Sequence, residues 1–390
     1  MNKDAMMILP VYTSDTSGVC SALYELDGMS VIHDPSGCNS TYNTHDEPRW
    51  YTMPSRIYLS GLMEYDAILG NESKLIDDCV TTAKEQHPRF IALAPSPIPM
   101  MMGQDIKALA GIIEHKTGIP TFGIATDGMQ SYIQGASVAL LEWAKRFVVD
   151  TADKLPGTIN ILGATPLDFA RQDIVSDIQR SLEARGMKVL SVWAMGSRPE
   201  EMAQAGSAAC NLVISSVGLK VAKYFKERFG TPYIIALPFG KKGADALVSL
   251  LKRAMSGEDD RQLRAIWKER LTEKRKPGTA TAIVLGEPVQ SLALAALLPY
   301  PAKVGTLLED EGNVLSKQDY LGEGEEELQR ELEHMELVIG DPTFKYITNA
   351  HTRFVRVPHF AFSGRMYTDE VPSLSDGKGN AWLLANQLDT

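Results

Sequence analysis

The feature that most constrains this chain is a rhythm. Short apolar runs rich in Val, Ile and Leu alternate with longer stretches of helical spacing, from about residue 15 to the end. Continuous apolar runs suit strands buried on both faces, and a helix between successive runs supplies the crossover that parallel strands need. The runs that predict strands are Ser30–His33, Phe90–Ala94, Thr121–Ile124, Ile159–Leu162, Lys188–Val192, Leu212–Ile214, Tyr233–Leu237, Ala280–Leu285, Lys303–Leu308, Leu337–Ile339 and Phe354–Val357. Between them, Gly103–Thr117, Gln130–Val149, Ala170–Arg185, Gly218–Phe229 and Gly243–Met255 carry amphipathic spacing. This predicts an α/β fold with more strands than one doubly wound sheet holds comfortably.

At 390 residues the chain is two to three times a usual domain. Composition breaks at 150–157 and at Lys-Arg-Lys-Pro-Gly (274–278) suggest three stacked Rossmann-like domains, 1–152, 153–276 and 277–390. Ligands of such units sit at the carboxyl ends of strands, so a central cleft is the expected site. Residues 309–336 carry eleven acids, and 261–276 are mostly basic; both read as solvated helix faces.

Lys plus Arg number 39 against 49 Asp plus Glu, a net charge of −10, and no basic stripe runs along the chain. A polyanionic nucleic acid is therefore not an expected partner. No apolar run is long enough to span a bilayer, and the amino terminus lacks the apolar core of a secretion signal, so the expectation is a cytoplasmic chain without membrane association. The four cysteines, Cys20, Cys38, Cys79 and Cys210, are too few and too scattered for a disulfide framework. Cys38 follows a Pro-Ser-Gly turn at an expected helix start, where backbone N–H groups favour a thiolate. A lone cysteine is more often a structural residue than a ligand, and no Cys-x-x-Cys pair occurs in the chain to change that.

Five motifs in order resemble nitrogenase component 1 and its relatives. His-Asp-Pro-Ser-Gly-Cys (33–38) resembles the family's HGPxGC, and Gly61–Asp78 and Ile91–Ile106 resemble the stretches that follow it. Cys210–Gly240 resembles a second-domain segment, and Leu337–Ile347 with Phe354–Phe360 a third-domain one. The resemblance implies an oxidoreductase: the catalytic subunit of a two-component reductase, pairing with an identical or different component 1 type subunit. It implies an iron–sulfur cluster, of [4Fe–4S] type, at the subunit interface, reduced by an ATP-dependent iron protein. The chain itself has no phosphate-loop motif, so ATP chemistry falls to that partner.

Of three cysteine positions in the family, the first falls near Thr13, the second on Cys38 and the third near Pro97. Cys38 is thus the expected cluster ligand, with Cys20 either a replacement ligand or a core thiol. Ser215 stands where an active-site metal cofactor would need cysteine, and His359 does not match the family's histidine motif, so no iron–molybdenum cofactor is expected. An organic substrate, such as a tetrapyrrole, is expected instead, in a cleft near Pro97, Ser215, Gly240 and His359. Met100, Met101 and Met102 would wall that cleft or pack in a core. The alternative is a non-catalytic cluster-assembly scaffold or structural partner subunit.

Overall fold

The computed structural model describes residues 8–9, 13–35, 37, 39–42, 46–151, 153–258, 281–322 and 324–389. Its strands form three parallel sheets flanked by helices. The chain divides into two compact units, one of Thr13–Val148 with Ala194–Ala203, the other of Val149–Trp193 and Gln204–Thr390 with the first residues of the chain.

The first unit holds β1 (Met29–His33), β2 (Ile57–Leu59), β3 (Ile91–Pro95) and β4 (Thr121–Gly123), ordered β2-β1-β3-β4. Successive side chains of a strand leave on opposite faces. Met29 and Val31 accordingly join a core with Leu75, Cys79, Leu109 and Ile113, whereas Ile32 joins Cys20, Tyr42 and Ile57. Two helices, Asp15–Leu23 and Tyr132–Phe147, pass at backbone contact. A Cβ on Gly135 would lie 1.8 Å from the Asp15 carbonyl oxygen, so only glycine permits this crossing.

The second unit carries two sheets. β5 (Leu155–Leu162), β6 (Lys188–Val192), β7 (Ala208–Val213) and β8 (Tyr233–Ile235) are ordered β6-β5-β7-β8. β9 (Ala282–Leu285), β10 (Lys303–Thr306), β11 (Tyr320–Leu321), β12 (Leu337–Gly340) and β13 (Arg353–Arg356) are ordered β11-β10-β9-β12-β13. The strand expected at Lys188–Val192 coincides with β6, and the other apolar runs overlap their strands.

Two edge strands, β2 and β11, escape the sequence reading because three and two residues are too short to show periodicity. The acidic stretch 309–336 is not one solvated helix face. Asp310 accepts the N–H groups of Val314 and Leu315, Asp319 accepts those of Val304 and Ser316, and among the described residues of the stretch only Glu325–Leu332 is helical. Glu325 is buried and accepts the N–H groups of Ile8 and Leu9. The basic stretch expected at 261–276 and the 274–278 break lie outside the described residues.

Candidate functional site

In the second unit, acids start the segments that leave the carboxyl ends of parallel strands. After β5, Thr165 caps the turn Pro166–Phe169, and its hydroxyl donates to Asp168 Oδ2 at 2.8 Å. After β9, Glu287 caps the helix Pro288–Leu297, accepting the Gln290 N–H at 2.9 Å through Oε2. Its Oε1 accepts the Ser216 N–H at 2.9 Å and the Ser216 hydroxyl at 2.5 Å, so one carboxylate serves the turns that follow both β9 and β7. After β12, Asp341 accepts the Thr343 N–H at 2.9 Å and hydroxyl at 2.7 Å, then the His359 N–H at 2.8 Å and the Ser363 hydroxyl at 2.7 Å. Following β13, His359 places Nε2 3.5 Å from Asp168 Oδ1.

Phe169, Phe239, Leu285, Glu287, Leu294 and His359 are among the walls of a cavity of about 50 Å³. At the ~10–15 Å³ that one water requires, it has room for a few water molecules. Glu287 is completely buried: loss of solvent, then the charge of Asp168, push its carboxyl up to about 7, against the lowering effect of the Ser216 and Gln290 bonds. A carboxylic acid, a carboxylate and an imidazole beside confined water can store and exchange protons.

The residues singled out from sequence fall differently. His359 lines the cavity. Ser215 is fully buried at the end of β7, its hydroxyl donating to the Gly163 carbonyl at 2.8 Å. Gly240, at φ +67°, abuts Leu297: an added Cβ would lie 2.6 Å from that side chain, so this glycine serves packing. Pro97 belongs to the first unit, where it opens the helical turn Pro97–Met101 after β3. The adjacent methionines are not core residues, since Met101 is 87% exposed. Asp168, Ser216, Glu287 and Asp341 were missed. A signal existed for two of them, an apolar run followed by Gly-Glu-Pro (286–288) or Gly-Asp-Pro (340–342). An acid before proline is the signature of a helix cap.

Cys38 lies outside the described residues. Cys20 is completely buried beside Ile32, Tyr42 and Ile57, and burial followed by the charge of Glu47 pushes its thiol up, away from the thiolate. Thr13 and Pro97 offer no thiol at the other two ligand positions. Among the described residues, no three His, Cys, Asp or Glu side chains are grouped to hold a metal ion. The described residues by themselves do not fit an iron–sulfur cluster, and no electron-transfer step is assigned to them. Among those residues, no helix is long and apolar enough to cross a membrane.

The model of the nitrogenase component 1 type oxidoreductase family matches residues 15–356. The iron–molybdenum cofactor biosynthesis protein NifE of Clostridium pasteurianum is 29% identical over 238 residues, 58% of this chain and 50% of that protein. A subunit of the light-independent protochlorophyllide reductase of Nostoc punctiforme is 25% identical over 185 residues, 44% and 36% of the two chains. The chain thus spans between a third and a half of the length of these curated relatives. A solved structure of nitrogenase Cp1 at pH 6.5 superposes with a TM-score of 0.71 at 17% identity, covering 100% of this chain and 94% of that one. With five ordered motifs, three parallel sheets and a family model matching most of its length, the chain belongs to the nitrogenase component 1 type oxidoreductase family.

Proposed function

We propose that the chain is the catalytic subunit of a nitrogenase-like two-component reductase in the cytoplasm, reducing an organic substrate. The observation that carries this reading is the Asp168–Glu287–His359 cluster, because reductions of organic molecules consume protons and this cluster buries proton-bearing groups at strand ends. At about 50 Å³ the cavity is far below the ~300–1,000 Å³ of a drug-sized site. It therefore seats water or one polar group of the substrate rather than a whole tetrapyrrole.

An interface iron–sulfur cluster with Cys38 among its ligands, reduced by an ATP-dependent iron protein, would supply the electrons. A second component 1 type subunit would complete the ligand set, and the apolar side chains exposed around Met63–Leu69 and Ile98–Met101 support a partner there. The commitment of the Ser215 hydroxyl to Gly163 supports a reaction without an iron–molybdenum cofactor.

A second reading, a non-catalytic scaffold or structural partner, is favoured by one observation: Thr13 and Pro97 leave the ligand set short. Anaerobic purification with iron, sulfide and molybdenum analysis tests the reductase reading, and reduction of an organic acceptor with the reduced iron protein separates it from an iron-carrying scaffold. The reductase reading expects iron and sulfide that Cys38→Ala removes, dithionite-bleachable absorbance, and no molybdenum. A chain without iron, or with iron unaffected by that substitution, overturns it.

A further inference from the structure

The cavity of the second unit contains an arrangement that helix capping alone does not require. Glu287 is satisfied as a cap by three donors from Ser216 and Gln290, yet it is buried beside a second fully buried acid, Asp168. Among the described residues, no Lys or Arg lines the cavity. Arg171 nearby gives its guanidinium to Asp173 and to the carbonyls of Thr368 and Val371. Among the described residues the remaining titratable group lining the cavity is His359, next to Asp168; Asp341, engaged by Thr343, Ser363 and the His359 backbone, lies behind it. Two acids and one imidazole without a fixed cation cannot all be accommodated in their charged forms at low cost.

We propose that Glu287, Asp168 and His359 form a proton-storage site, in which Glu287 holds an exchangeable proton at neutral pH. The proton leaves the Glu287 carboxyl for cavity water, from which an acceptor at the strand ends takes it, and a proton from bulk solvent restores the acid. No electron moves and no bond other than O–H breaks. The site needs neither a cluster nor a partner subunit, so it survives failure of the reductase reading, whereas its own failure would remove the observation that carries that reading.

The test is infrared difference spectroscopy of the full chain across pH 5–9, following the carbonyl stretch of a buried carboxylic acid. The wild-type chain should show a band that shifts in D₂O and is lost as pH rises through about 7. Glu287→Gln should lack it. Asp168→Asn, which removes the neighbouring negative charge and keeps Glu287, should retain the band and move its loss to lower pH. Absence of the band from the folded wild-type chain, or its persistence unchanged in folded Glu287→Gln, overturns the proposal. So does an unshifted midpoint in Asp168→Asn, the deciding variant where Glu287→Gln does not fold.

Discussion

The segments that follow several strands differ between the two units. In the second unit, residues after β5, β9, β12 and β13 bury Asp168, Glu287, Asp341 and His359, and hydroxyl and backbone donors serve the three acids. In the first, the segments after β2, β3 and β4 turn apolar side chains outward: Ile68 is 74% exposed, Met101 87% and Met129 80%. The helix Glu64–Leu69 buries no residue at all. The same supersecondary unit thus yields an enclosed polar site in one place and an open apolar edge in another. Isolated exposed hydrophobics are ordinary, but exposed apolar residues after three strands of one sheet are what the proposed partner surface would use.

Glu287→Ala should break the contrast most. Three donors of Ser216 and Gln290 would lose their acceptor inside the protein. A loss of about 4 kcal/mol is expected in urea unfolding. A loss under about 1 kcal/mol would mean that water already serves those donors.

The next effect is one of pH. Because Glu287 stands near 7 when folded against an ordinary 4.5, the folded chain binds the extra proton. Its contribution is complete below about 4.5 and is lost as pH rises to about 7, a fall of about 3 kcal/mol. Asp15 in the first unit, raised by burial to about 6 from 3.8, acts with the same sign over that lower window. Glu287→Gln should therefore flatten the upper part of the stability–pH curve and spare the lower. A curve unchanged between pH 5 and 7 would remove Glu287 from the account.

Ser215→Val should cost about 2 kcal/mol, since the fully buried Ser215 hydroxyl donates to the Gly163 carbonyl, which would lose that donor and meet a methyl group instead. Thermal unfolding measures it, and a neutral result would return Ser215 to an open cleft.

The smallest effect on stability belongs to the exposed edge. Ile68→Asp with Met101→Asp should change it by less than about 0.5 kcal/mol while lowering the oligomeric state seen in sedimentation. Unfolding of the variant, or an unchanged sedimentation profile, would show that this edge is not a docking surface.

Much of the architecture was legible because strand and helix patterns are local. Leu337–Ile339 or Ile159–Leu162 must be buried whatever the rest of the chain does, and helical spacing between such runs implies parallel crossovers. The HDPSGC motif was legible as a resemblance to the family. What escaped was set at a distance. β2 and β11 exist because a neighbouring strand offers them hydrogen bonds, not because their own residues demand it. Gly240 looked like a ligand-facing glycine until Leu297 filled the space beside it.

By itself, then, the sequence determined the alternating elements, their parallel sense and the family to which they belong. Tertiary structure alone decided that Asp168, Ser216, Glu287, Asp341 and His359 meet, although up to 191 positions separate them in the chain. The reason is that hydrophobic periodicity is encoded in neighbouring residues, whereas a polar site is built where strand ends converge. An acid such as Glu287 shows its unusual character only once the fold has removed its water and set Asp168 beside it.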